Sequence, residues 1–143
     1  MLKKIDYNEI TRKARTFIVK DIIKCIELNG VVGKQHLYVT FSLEHKGVEV
    51  SEYIREDFDT EMTIILQHEF WALKSDAYGF SVSLSFEHGD EKIYIPFSAI
   101  SNINDPSEDF YLDLEPDFSN VSTAAKGVQS SSDNIVSLDL FRK

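Results

Sequence analysis

The chain has 143 residues, 43% apolar and 12% aromatic, enough for one domain with an ordinary core and a tail besides. Its formal charge of −9 is unevenly placed: residues 1–20 carry six Lys or Arg against two acids, a net +4, so the remainder carries −13. Such a field repels phosphate, leaving a nucleic acid only the basic first helix, where no RNA-binding aromatic signature accompanies it.

The opening Met1-Leu2-Lys3-Lys4 leads into a charged helix rather than a signal-peptide core, and no run is long enough to span a bilayer. A cytoplasmic chain with no membrane partner is expected. From about Asp6 to Leu28 apolar residues recur at spacings of three and four (Ile10, Ala14, Phe17, Ile18, Ile22, Cys25, Ile26), which predicts a long helix. Asn29-Gly30 stops it, because glycine accepts the left-handed conformation at a helix end. Val19 and Ile23 widen the stripe beyond one core face, and a copy of the chain is the commonest partner for such a helix. A homodimer is therefore expected, with Phe17, Val19, Ile22, Ile23 and Ile26 as its helix residues. Cys25, the only cysteine, excludes an internal disulfide; its position among isoleucines predicts a buried small hydrophobe rather than a reactive thiol.

From His36 the pattern changes to short runs rich in β-branched and aromatic residues: His36 to Leu43, Val48 to Val50, Thr63 to Phe70, Phe80 to Phe86, Lys92 to Pro96, and Phe110 to Leu114. Phe80-Ser81-Val82-Ser83-Leu84-Ser85-Phe86 alternates throughout, so four large apolar side chains share one face and three serines the other. Gly89-Asp90 turns the chain into Ile93-Tyr94-Ile95, giving a hairpin, and Asn104-Asp105-Pro106 makes a further turn. The expected fold is mainly β with an N-terminal α-helix, a small, strongly bent sheet or barrel.

Catalytic chemistry finds little support. The histidines at 36, 45, 68 and 88 are scattered without metal-ligand spacing, and no glycine-rich phosphate loop or nucleophile elbow occurs. No catalytic residue, metal or cofactor is expected. The acidic run Glu56-Asp57-Phe58-Asp59 reads as a solvated loop. Two features instead suit an extended peptide, which would use main-chain bonding for affinity and pockets for choice. The serine face, Ser83 and Ser85 included, fits either a solvated surface or the close approach of another backbone. Thr63 to Trp71 carries apolar residues on both strand faces, so one needs cover. Gln67 and His68 would supply polar specificity there, with Phe70 and Trp71 as contact area; Trp71 equally fits a core.

After Pro116 the pattern dissolves into a Ser-rich stretch that cannot bury enough apolar surface to offset the entropy of ordering. Residues 1–116 are expected to form the folded domain, 117–134 a disordered linker, and 135–143 (Ile135-Val136-Ser137-Leu138-Asp139-Leu140-Phe141-Arg142-Lys143) a docking peptide. The stretch from Ser119 to Asn134, roughly 16 flexible residues, reaches about 20 to 24 Å. A last edge strand is the alternative, but compact domains seldom place so long a connection before one.

Glu61-Met62-Thr63-Ile64-Ile65-Leu66-Gln67-His68-Glu69-Phe70-Trp71-Ala72-Leu73, Ile95-Pro96-Phe97-Ser98-Ala99-Ile100 and Asp105-Pro106-Ser107 closely resemble the alpha-proteobacterial branch of the stringent starvation protein B (SspB) family. The tail segment Val136-Ser137-Leu138-Asp139 with Phe141-Arg142-Lys143 resembles the motif by which that family docks on the unfoldase ClpX. The resemblance implies an Sm-like or SH3-like open barrel that dimerises through its first helix, and an adaptor for the ClpXP protease rather than an enzyme. It further implies that a barrel groove captures the ssrA tag of rescued ribosome products, while the tail tethers the tagged polypeptide to ClpX. Gln67 and His68 match the family's groove motif; Phe70, Trp71, Ser83 and Ser85 join them from strand geometry. Val136, Leu138 and Phe141 would anchor the tail, with Arg142 and Lys143 adding charge. An Sm-like RNA-binding barrel is the alternative.

Overall fold

A computed structural model describes residues 3–119. Helix α1 spans Tyr7–Asn29. Asp6 caps it by accepting the Glu9 N–H at 3.0 Å, and Gly30, at φ 75°, closes it by donating to the Ile26 carbonyl at 2.8 Å. Only its second half is packed: Val19 and Ile23 are buried in the core and Ile22 and Ile26 lie against it. In the first half Tyr7, Ile10, Phe17 and Ile18 are exposed. Cys25 is exposed, not buried as its isoleucine neighbours had implied. Position 25 falls on the side of α1 away from Val19 and Ile23.

The remaining elements are β1 (Leu37–Ser42), a short helix α2 (Glu52–Asp57), β2 (Glu61–Leu66), β3 (Phe70–Ser75), β4 (Gly79–Phe86), β5 (Gly89–Pro96), β6 (Ile100–Asp105) and β7 (Phe110–Asp113). They form two antiparallel sheets, ordered β2-β1-β6-β7 and β3-β4-β5. The fold is thus mainly β with an N-terminal helix, as expected, and among the described residues its two sheets do not close into a barrel. Alternation places Leu37, Val39 and Phe41 of β1, Met62, Ile64 and Leu66 of β2, and Phe80, Val82 and Leu84 of β4 in one core, with Ile93, Ile95, Ile100 and Ile103.

Several strand expectations change. Val48 to Val50 is not a strand; it contributes an isolated bridge, with Glu49 and Tyr94 exchanging N–H···O bonds of 3.0 Å. Thr63 to Phe70 is not continuous: β2 ends at Leu66 and β3 begins at Phe70. β3 lacks a clear strand signature because a bulge interrupts its alternation, the register shifting between Trp71 and Lys74 where Ala72 takes φ 55°. β6 hid for the same reason. Opposite Thr40 and Phe41 it carries one extra residue, Ser101, so Ile100 and Ile103 are both buried three positions apart. The stretch around Glu56 and Asp57 is the end of α2, capped by Ser51 and pinned through buried Ile54. One glycine is dictated by contact: a Cβ on Gly79 would lie 2.4 Å from the Ile95 carbonyl oxygen.

Candidate functional site

Strand β2 is the outer strand of its sheet, so among the described residues one side of its backbone faces no partner strand. Its alternation buries Met62, Ile64 and Leu66 and leaves Glu61, Thr63 and Ile65 outward. Ile65 is 45% exposed, an apolar side chain that the domain's own core does not use. Next to it lies a depression of about 360 Å³, lined by Thr63, Ile64 and Ile65, by Gln67, His68 and Glu69 of the β2–β3 turn, and by Leu84, Ser85 and Phe86. Its lining is mixed: Ile64, Leu84 and Phe86 belong to or pack on the core, while Thr63, Gln67, His68, Glu69 and Ser85 are polar. That combination suits an extended chain with side chains of both characters.

Gln67, His68 and Ser85 are thus brought together here. Phe70 and Ser83 are half-buried outside this lining, and Phe70 packs on the core. Trp71 stands on β3 opposite Ser83, 44% exposed, so it is neither core nor part of the depression. Sequence reasoning did not single out Ile65, Glu69, Leu84 or Phe86 as groove residues. The signal was present for Ile65, which falls on the outward face of a strand apolar on both sides. Alternation alone assigns Leu84 and Phe86 to the core; as the last inward residues of β4 they line the depression as well.

The groove's polar surroundings are acidic. Ser85 Oγ donates to Asp90 Oδ1 at 3.0 Å, and Glu69 sits on the lining. Close by in the chain, His88 Nε2 meets the Glu91 carboxylate, which also accepts from Ser51 Oγ at 2.6 Å. Burial pushes the Glu91 carboxyl up, but the hydrogen bonds from Ser51 and His88 outweigh it and hold the group below its ordinary range. Among the described residues no group of three or more His, Cys, Asp or Glu is arranged to hold a metal ion.

A second polar centre roots the segment after β7. His45 is 1% exposed; its Nδ1 accepts the Gly47 N–H at 3.0 Å, which puts the ring proton on Nε2. Nε2 lies 2.9 Å from Ser98 Oγ and 3.2 Å from the Asp117 carbonyl oxygen. Asp117 N–H donates to the Ser98 carbonyl at 2.7 Å, Leu114 N–H to the Ser101 carbonyl at 2.9 Å, and Phe118 packs on the His45 ring at 5.3 Å. Residues 114–118 are therefore strapped to the domain. Burial lowers the His45 pKa, and the nearby Asp117 carbonyl and carboxylate only partly offset this. Val136, Leu138, Phe141, Arg142 and Lys143 lie outside the described residues, as does nearly all of the expected linker 117–134.

Of the five helix residues expected at a dimer contact, Val19 and Ile23 serve the domain's own core, Ile22 and Ile26 flank it, and Phe17 is exposed. Among the described residues no helix is long and apolar enough to cross a membrane.

The family model described as stringent starvation protein B matches residues 10–136, and the chain belongs to that family. Membership supports an adaptor role in protein degradation and gives no support to the RNA-binding alternative. A search of curated proteins found no match.

Proposed function

We propose that this member of the stringent starvation protein B family captures the ssrA degradation tag in the groove beside β2 and delivers tagged polypeptides to the ClpXP protease. The observation that carries this reading is an edge strand, unpaired on one side among the described residues, beside a depression lined by apolar side chains and a polar turn. A tag laid along β2 would take main-chain hydrogen bonds from Thr63 to Ile65, place an apolar side chain against Leu84 and Phe86, and be read by Gln67, His68 and Ser85. Trp71 lies outside the depression and would matter only if the peptide continues over β3.

The tail supplies the second contact. Val136, Leu138 and Phe141 would dock on ClpX, with Arg142 and Lys143 matching negative charge. Joining two weak contacts by a linker raises the effective concentration of the tag at ClpX without any stronger contact. Because His45 and Ser98 hold the chain through Asp117, the tether starts at the strap rather than at the end of β7. A homodimer would double the tails. Its face would be the exposed first half of α1, where Ile10 and Phe17 fall on one side, since Val19 and Ile23 are already committed.

The test is fluorescence anisotropy of a labelled ssrA tag peptide with the full chain, joined to ClpXP degradation of a tagged reporter. Cutting the chain after Ser119 keeps the strap and removes the tail. The expected result is unchanged tag binding with loss of stimulated degradation; stimulation by the tail-less chain contradicts the tether.

A further inference from the structure

The groove's aromatic wall continues past Phe86. His88, on the turn between β4 and β5, stacks on Phe86 with ring centroids 5.8 Å apart and planes 10° apart. Tyr53 of α2 stacks on the same His88 at 4.6 Å and 17°. Three near-parallel rings thus carry the surface from the depression to the short helix, and Tyr53 is 63% exposed. An aromatic side chain so exposed, yet held flat against a neighbour, keeps its contact area at little entropic cost to a ligand.

The ring between them is oriented. Glu91 is held ionised by the Ser51 hydroxyl and by His88 itself, so the proton shared with Glu91 belongs to His88 Nε2. In the neutral ring Nδ1 then keeps its lone pair, and among the described residues it has no hydrogen-bond partner. The side chain is 26% exposed, so an acceptor is left within reach of a bound chain. The carboxylates at this end, Glu69, Asp90 and Glu91, disfavour acidic residues in whatever lies there.

Resting on the peptide-binding reading above, we infer that Phe86, His88 and Tyr53 form a second subsite of the groove, which takes a stretch of extended peptide without acidic side chains and accepts one of its N–H groups at His88 Nδ1. The two centroid steps of 5.8 and 4.6 Å match the path of about three extended residues at ~3.3 Å each.

The test uses the full chain and three fluorescein-labelled probes: the ssrA tag peptide and two versions shortened by three residues at one or the other end. One shortened probe should bind the wild-type chain about tenfold more weakly than the whole tag. Tyr53→Ala and His88→Ala should lose a similar factor on the whole tag and lose nothing further on that shortened probe. His88→Phe, which keeps the stack and removes the acceptor, should lose about threefold. Thermal melting establishes that each variant is folded. Variants that bind all three probes as the wild type does, or that weaken all three equally, overturn the subsite while leaving the groove reading intact. A wild-type chain that binds none of the probes overturns both.

Discussion

The groove and the strap handle their polar groups in opposite ways. At the strap, both nitrogens of a fully buried histidine are engaged, by Gly47 on one side and by Ser98 and Asp117 on the other, and Phe118 covers the ring. At the groove, among the described residues, β2 leaves one backbone edge without a partner strand and Ile65 stays half exposed, and on the turn after β4 the His88 ring uses one nitrogen only. Buried polar groups that are fully satisfied rigidify a structure, whereas an unpaired edge beside apolar side chains is where another chain can add. One region holds residues 114–118 in place; the other leaves a backbone edge and apolar side chains open.

That contrast can be broken at several strengths. Phe80→Ala, in the core shared by both regions, should cost about 3 to 5 kcal/mol and lower the urea midpoint sharply, removing both functions together. His45→Ala should cost about 1 to 3 kcal/mol, since it leaves the Gly47 N–H without its buried acceptor. Hydrogen exchange should then quicken at the amides of Leu114 and Asp117, while tag binding stays as it was. Weakened tag binding by a folded His45→Ala chain would show that the two regions are not separable. Gln67→Ala should leave the melting temperature unchanged and weaken tag binding by about three- to tenfold, the size of one lost hydrogen bond.

The smallest expected effect is a pH dependence. The folded His45 pKa lies below the unfolded value of about 6.5, so the unfolded chain takes up a proton first as pH falls. The stability held by neutral His45 is full above about pH 6.5 and is lost progressively as pH drops from there through the folded value. Urea midpoints between pH 7.5 and 5.5 should fall in the wild type and change less in His45→Gln. Equal slopes in the two proteins would show that the strap does not depend on a neutral ring.

Much of this was legible from residues alone. Uninterrupted periodicity identified α1, β1 and the β4–β5 hairpin, and the glycine after Asn29 marked the helix end. β3 and β6 were not legible because bulges at Ala72 and Ser101 break the two-residue period on which strand reading depends. α2 is too short to show a helical repeat and is defined by its Ser51 cap and one buried residue, Ile54. In α1 the repeat gave the stripe but not its division: Val19 and Ile23 face the domain while Phe17 faces outward, a distinction that only packing makes. Of the residues that line the depression, Gln67 and His68 stand out by motif and Ser85 by alternation. Glu69 and Phe86 became visible only when the turn after β2 was folded against the end of β4.

The most direct test of the central claim is a titration of fluorescein-labelled ssrA tag peptide with the full chain, run beside Gln67→Ala and Tyr111→Ala. Tyr111 is exposed on β7 and lies outside the groove's lining, so it serves as the control. Saturable binding to the wild type and to Tyr111→Ala with the same affinity, and weaker binding to Gln67→Ala, is the expected result. Absence of binding, or binding that Gln67→Ala leaves untouched, would contradict the claim.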